Sequence, residues 1–124
     1  MLDMAWHTLN SPFNKDIIGF EQNALKPTIL FQSIEGSGVS TSFSHIFAGG
    51  YASGYYGYKW AEVLDADAFS LFKRNGIFNP EISARFKNEI LEKGGTEHPM
   101  KLYVNFRGKE PDPEELLKRS GLKN

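Results

Sequence analysis

The chain has 124 residues, 40% of them hydrophobic and 23% charged, which supplies one folded domain's worth of apolar material and rules against a disordered tail. Fourteen basic and 15 acidic residues leave a formal charge of −1, without the basic excess or stripe that phosphate contacts require, so no nucleic-acid partner is expected. There is no cysteine, which excludes disulfides and thiolate metal sites.

Met1 to Leu9 reads as the tail of a helix, with Leu2, Met4, Ala5, Trp6 and Leu9 apolar and Asn10-Ser11-Pro12 as the stop. The abrupt opening suggests a helix whose start lies outside the chain. It lacks the basic-then-apolar order of a secretory signal, and no later apolar run nears the roughly 20 residues of a membrane-spanning helix. A cytoplasmic protein without membrane attachment is the expectation. A second helix is expected over Asn14 to Leu25, ended by Pro27, and Thr28 to Ile34 fits strand or turn. Glu35 to Ser42, rich in Gly and Ser, reads as a flexible loop.

The strongest helical segment is Tyr51 to Lys73, after Gly49-Gly50 and before Asn75-Gly76. Asn79-Pro80-Glu81 then combines a capping side chain, a proline in the first turn and an early acid. Ile82, Phe86 and Ile90 follow at four-residue spacing as one apolar stripe, ended at Gly94-Gly95. Another helix fits Glu97 to Phe106, with Met100, Tyr103 and Phe106 apolar. The last opens at Asp112-Pro113-Glu114-Glu115, spaced as a capping box, and stops at Gly121. The expected fold is all-α, a compact array of five or six helices forming a single unit over 1–124.

Aromatic residues make up 14% of the chain, and five tyrosines, Tyr51, Tyr55, Tyr56, Tyr58 and Tyr103, are among them. On a helix Tyr51, Tyr55 and Tyr58 would share one face, continued by Glu62 and Asp65, while Tyr56, Trp60 and Val63 would pack on the body of the protein. Gly54 and Gly57 are expensive inside a helix, at roughly 1 kcal/mol each, and would leave room for an extended peptide. Two readings stand level on the residues alone. One is a half-buried packing stripe with wet hydroxyls; the other is a peptide-binding wall whose phenols donate to a carbonyl that turns negative during attack.

The run Phe43-Ser44-His45-Ile46-Phe47-Ala48-Gly49-Gly50-Tyr51, followed by Gly54-Tyr55-Tyr56-Gly57-Tyr58-Lys59-Trp60-Ala61-Glu62-Val63-Leu64, resembles the signature of the thimet oligopeptidase, oligopeptidase A and peptidyl-dipeptidase family. The likeness continues through Gly76-Ile77-Phe78-Asn79, Gly94-Gly95-Thr96-Glu97-His98-Pro99-Met100, Phe106-Arg107-Gly108-Lys109-Glu110-Pro111 and Ser120-Gly121-Leu122. It implies the C-terminal part of a zincin-like, largely helical zinc metallopeptidase domain that encloses a channel for short peptides. It also implies that Tyr58 donates to the developing oxyanion, that Tyr51 supports the same oxygen or holds substrate backbone, and that His45 contacts substrate near the scissile bond. Tyr55, Gly49 and Gly50 complete the substrate-binding set, and Gly36-Ser37-Gly38 stands where the family has a mobile loop.

The zinc motif of that family is His-Glu-x-x-His on a helix. Here the histidines are His7, His45 and His98, and none begins a His-Glu pair. The resemblance places the motif upstream of Met1. The chain is therefore expected to be a fragment that binds no zinc, is inactive alone, partners the rest of the catalytic domain, and self-associates through uncovered apolar surface. The competing reading is a non-catalytic helical module that binds peptides or pairs with itself. His7 and His98 are read as packing or capping residues, Glu62 and Asp65 as salt-bridge partners, and Arg107 and Lys109 as solvated or ion-paired.

Overall fold

A computed structural model describes residues 1–123. Among them are six α-helices and no β-strand, so the all-α expectation holds. The helices are α1 (Leu2–His7), α2 (Ile17–Leu25), α3 (Gly57–Asn75), α4 (Pro80–Phe86), α5 (Pro99–Arg107) and α6 (Glu114–Arg119). A 3₁₀ turn spans Ser44–Ile46, and a π-helical turn, Lys87–Leu91, prolongs α4. The chain divides into two compact units, Met1–Gly57 and the part beginning at Tyr58.

In the first unit α1 packs on α2. Asp16 caps α2 by accepting the Ile18 N–H at 3.0 Å, two residues later than the sequence start at Asn14. Trp6 of α1 meets Phe13 edge-on at 5.2 Å between ring centroids and lies 4.2 Å from Phe20 of α2. Beyond a turn that ends at Thr28, the run to Ile34 is irregular rather than a strand or a turn, with Leu30, Phe31 and Ile34 exposed. The run closes locally at its ends, where the Thr28 and Ile29 N–H groups donate to the Leu25 carbonyl at 2.8 and 3.1 Å and the Ile34 carbonyl accepts the Ser37 N–H at 3.1 Å.

The second unit is built on side-chain packing. Phe106 of α5 is fully buried, 5.1 Å from the Phe86 ring and 6.2 Å from that of Phe72. The Ile82, Phe86, Ile90 stripe faces this core: Ile82 is buried, and Ile90 and Phe86 line an apolar groove with Leu64, Phe69, Phe72 and Tyr103. The caps of α4 and α5 fall where the sequence puts them. Asn79 accepts from the Glu81 and Ile82 N–H groups, His98 Nδ1 accepts from the Met100 N–H at 3.2 Å, and Gly108 ends α5 at φ +81°. The expected capping box at α6 is not formed: Pro113 is the cap residue, Asp112 accepts the Glu114 N–H at 3.0 Å, and Glu115 pairs with Lys118.

Buried polar chemistry ties α3 to α5. Asp67 is fully buried and receives two bonds from Arg107, Nε to Oδ2 at 3.1 Å and a terminal N–H to Oδ1 at 3.0 Å. The Tyr103 hydroxyl donates to Asp67 Oδ2 at 2.7 Å. Burial, reinforced by the neighbouring carboxylate, pushes the Tyr103 phenol well above its ordinary range, although Arg107 opposes the shift.

The long central helix begins later than its sequence suggests. α3 starts at Gly57, not Tyr51, and residues 51–56 are a chain of turns. Gly50 takes φ +78° and Ser53 takes φ +55°, both outside the right-handed helical region. Tyr51, Tyr55 and Tyr58 therefore do not share a helical face, and Gly54 is not inside a helix. Tyr56 and Trp60, expected to pack on the body of the protein, are exposed.

Candidate functional site

Two buried carboxylates frame the segment that carries the candidate residues. Glu21 of α2, 7% exposed, accepts the Val39 N–H at 2.8 Å through Oε1 and both the N–H and the hydroxyl of Ser40 at 2.6 Å through Oε2. The Ser40 hydroxyl oxygen in turn accepts the indole N–H of Trp6 at 3.0 Å. Asp3 of α1, 6% exposed, accepts the Ser53 N–H at 2.9 Å through Oδ1 and the Tyr55 N–H at 3.0 Å through Oδ2. His7 Nδ1 stands 2.9 Å from Asp3 Oδ1.

Burial pushes both carboxyl groups up, but their hydrogen bonds outweigh it. Asp3 is held below its ordinary value by the Tyr55 and Ser53 amides and by His7. Glu21 is lowered by the Ser40 hydroxyl and the Val39 and Ser40 amides. Left-handed backbone costs a residue with a side chain about 1–2 kcal/mol, so the bond from Asp3 to the Ser53 amide falls on a backbone that needs holding.

Between these two clamps the chain folds back on itself. Ile46, fully buried, anchors the 3₁₀ turn. The His45 carbonyl accepts the Gly49 N–H at 3.3 Å and the Tyr51 N–H at 3.2 Å, which draws Tyr51 towards its histidine. A Cβ on Gly49 would lie 2.9 Å from the His45 Cα, so only glycine permits this approach. The His45, Tyr51 and Tyr55 rings form a triangle with centroid separations of 6.0, 6.0 and 5.9 Å. Phe43 buttresses it, edge-on to Tyr55 at 4.7 Å.

Two polar phenols and an imidazole gathered on one exposed turn offer O–H donors and a ring that donates or accepts, a set suited to peptide carbonyl and amide groups. His45 is exposed and the two tyrosines are half-buried. Gly49 and Gly50 shape this turn, Gly49 by close approach and Gly50 by its positive φ. Tyr58 belongs to the second unit, on the first turn of α3, and is 51% exposed.

Several of the remaining charged residues have structural partners. Glu62 pairs with Lys59 at 2.8 Å, Asp65 with Arg119, and Lys109 with Asp112 at 3.4 Å. Lys118 pairs with Glu115 and Lys123 with Glu114. His7 serves Asp3, and His98 caps α5. Among the described residues no group of three or more His, Asp or Glu side chains could hold a metal ion; the residues present do not fit the zinc that the family resemblance implies. No helix among them is long and apolar enough to cross a membrane.

Sequence reasoning missed Asp3, Glu21 and Asp67. One signal was available for Asp3: an acid set among Leu2, Met4, Ala5 and Trp6 on an otherwise apolar helix. Asp67, between Ala66 and Ala68 on α3, is a similar case. Glu21 carried no comparable mark.

With this geometry in place, the comparisons become specific. The sequence profile described as Peptidase family M3 matches residues 1–122. The chain belongs to this family, that of thimet oligopeptidase and oligopeptidase A.

Among individual relatives, it is 44% identical to oligopeptidase A of Haemophilus influenzae over 118 residues, 95% of this chain and 17% of that protein. It is 56% identical to oligopeptidase A of Escherichia coli over 82 residues, 66% of this chain and 12% of that protein. Dipeptidyl carboxypeptidase of Escherichia coli is 37% identical over 124 residues, 98% of this chain and 18% of that protein. The chain thus spans less than a fifth of the length of each of these relatives.

Proposed function

We propose that the chain is the C-terminal portion of a zinc metallopeptidase catalytic domain that hydrolyses short peptides, and that both of its units belong to that domain. Its part in the reaction is to hold the substrate and stabilise charge. Tyr58 donates its phenolic hydrogen to the scissile carbonyl oxygen as that oxygen turns negative. Tyr51, His45 and Tyr55 engage the peptide near the scissile bond, on the turn that Gly49 and Gly50 make possible. The observation that carries the reading is the family match over residues 1–122 together with the His45, Tyr51, Tyr55 ring triangle.

Zinc has no ligand set among the described residues, and in this reading other parts of the longer protein hold it. The chain alone is therefore inactive. The apolar groove of the second unit with the exposed Phe69, and a second one lined by the exposed Trp60, are surface that the rest of the domain covers and that drives self-association when uncovered. A cytoplasmic location belongs to the same proposal; of two Arabidopsis thaliana relatives, one is named as a probable cytosolic oligopeptidase A and the other as an organellar form.

Removing one oxyanion donor typically lowers turnover by about 10²–10³. Tyr58→Phe in the longer peptidase is expected to lower kcat by about that factor with little change in KM. Unchanged kcat would remove Tyr58 from its role. For the isolated chain, stoichiometric zinc with chelator-sensitive peptide cleavage would overturn the assignment of inactivity.

A further inference from the structure

We infer that Asp3 is a positioning residue for the peptide-engaging turn: by accepting the Ser53 and Tyr55 backbone N–H groups it fixes the pose of Tyr51 and Tyr55 beside His45, and turnover depends on it. The inference deepens the proposed function and rests on it for the roles of those rings.

Four features converge. The bonds are long-range, joining residues 50 and 52 positions apart, so they report tertiary design rather than a local turn. Each carboxylate oxygen takes one amide, at 2.9 and 3.0 Å, which fixes the carboxylate plane against the turn. The first of these amides belongs to Ser53, a non-glycine residue at positive φ, and the second carries the Tyr55 ring itself. His7, 2.9 Å from Oδ1, holds the carboxylate from the helix side.

The other end of the segment is held separately, by Glu21 at Val39 and Ser40. Between these points the buried Ile46 and the Phe47 ring, near Trp6 and His7, hold the middle, and the two carboxylates hold the ends of the stretch that carries His45, Gly49, Gly50 and Tyr51. Loss of the Glu21 clamp frees the loop end. Loss of the Asp3 clamp frees the ring end, where precise placement matters to a reacting peptide.

The test has two arms. In the 124-residue chain, Asp3→Asn leaves one of the two amides facing an NH₂ group. Hydrogen exchange at Ser53 and Tyr55 is then expected to rise about ten-fold or more, with the α5 amides unchanged. In the longer peptidase the same variant is expected to lower kcat about ten-fold with KM little altered. That loss should largely vanish in a Tyr51→Phe, Tyr55→Phe background, since it acts through those rings.

Unchanged exchange overturns the clamp. Raised exchange with unchanged kcat, or losses that simply multiply across the two backgrounds, overturns the positioning role. If Asp3→Asn does not fold, Asp3→Glu carries the same arms: its displaced carboxylate should give smaller changes in the same directions, and wild-type values in both overturn the inference. Full turnover in Tyr58→Phe counts against the oxyanion assignment alone, because the exchange arm decides the clamp without any assay.

Discussion

The two units stabilise themselves by different means. In the second, regular helices satisfy their own backbone, and side chains do the joining: Phe106 against Phe72 and Phe86, and Asp67 against Arg107 and Tyr103. In the first, the segment that matters is irregular: many of its amides close in local turns, but those of Val39, Ser40, Ser53 and Tyr55 find distant partners. They find them in Glu21 and Asp3, carboxylates that serve backbone rather than a cationic side chain on the facing segment. Irregular backbone presents rings in arrangements that no helix face offers, and it requires buried acceptors to remain in place.

The largest effect is expected where the second unit's ion pair is broken. Arg107→Ala leaves Asp67 buried without its guanidinium and should cost about 3–5 kcal/mol in chemical denaturation. A loss under about 1 kcal/mol would place the second unit's stability in its aromatic core alone.

A smaller but more discriminating effect is the response to acid. Asp3 and Glu21 both lie below their ordinary values of 3.8 and 4.5 in the folded chain. Their contribution is complete above those values and is lost as pH falls beneath them. Amide NMR signals from residues 39–55 should therefore fade in acid before those of α5. Tyr103 shifts the other way, so its contribution is complete below pH 10 and is lost as pH rises further. Simultaneous loss of both units in acid would erase the contrast. The smallest effect is at the surface: Lys59→Ala removes an exposed pair with Glu62 and should change stability by no more than about 0.5 kcal/mol.

Much of the second unit was legible before any coordinates. The Asn79 cap, the Ile82, Phe86, Ile90 stripe, the His98 cap and the Gly108 terminus are signals that act within about one helical turn, where chain connectivity guarantees the contact. The signature was legible as a set of residues, and His45, Tyr51 and Tyr55 do converge. Their geometry was not. Residues 51–56 have a composition a helix would accept, and nothing within four positions of Ser53 shows that its amide will turn to Asp3.

Composition, helical period and capping residues thus determined by themselves that this chain is all-α and where most of its helices stop, while the resemblance named which rings to watch. Tertiary structure decided that the helix waits until Gly57 and that the rings meet through turns. The reason is physical: a cap or a stripe is settled by neighbours along the chain, whereas an amide's choice between its own helix and a carboxylate 50 residues away depends on what packing brings within 3 Å.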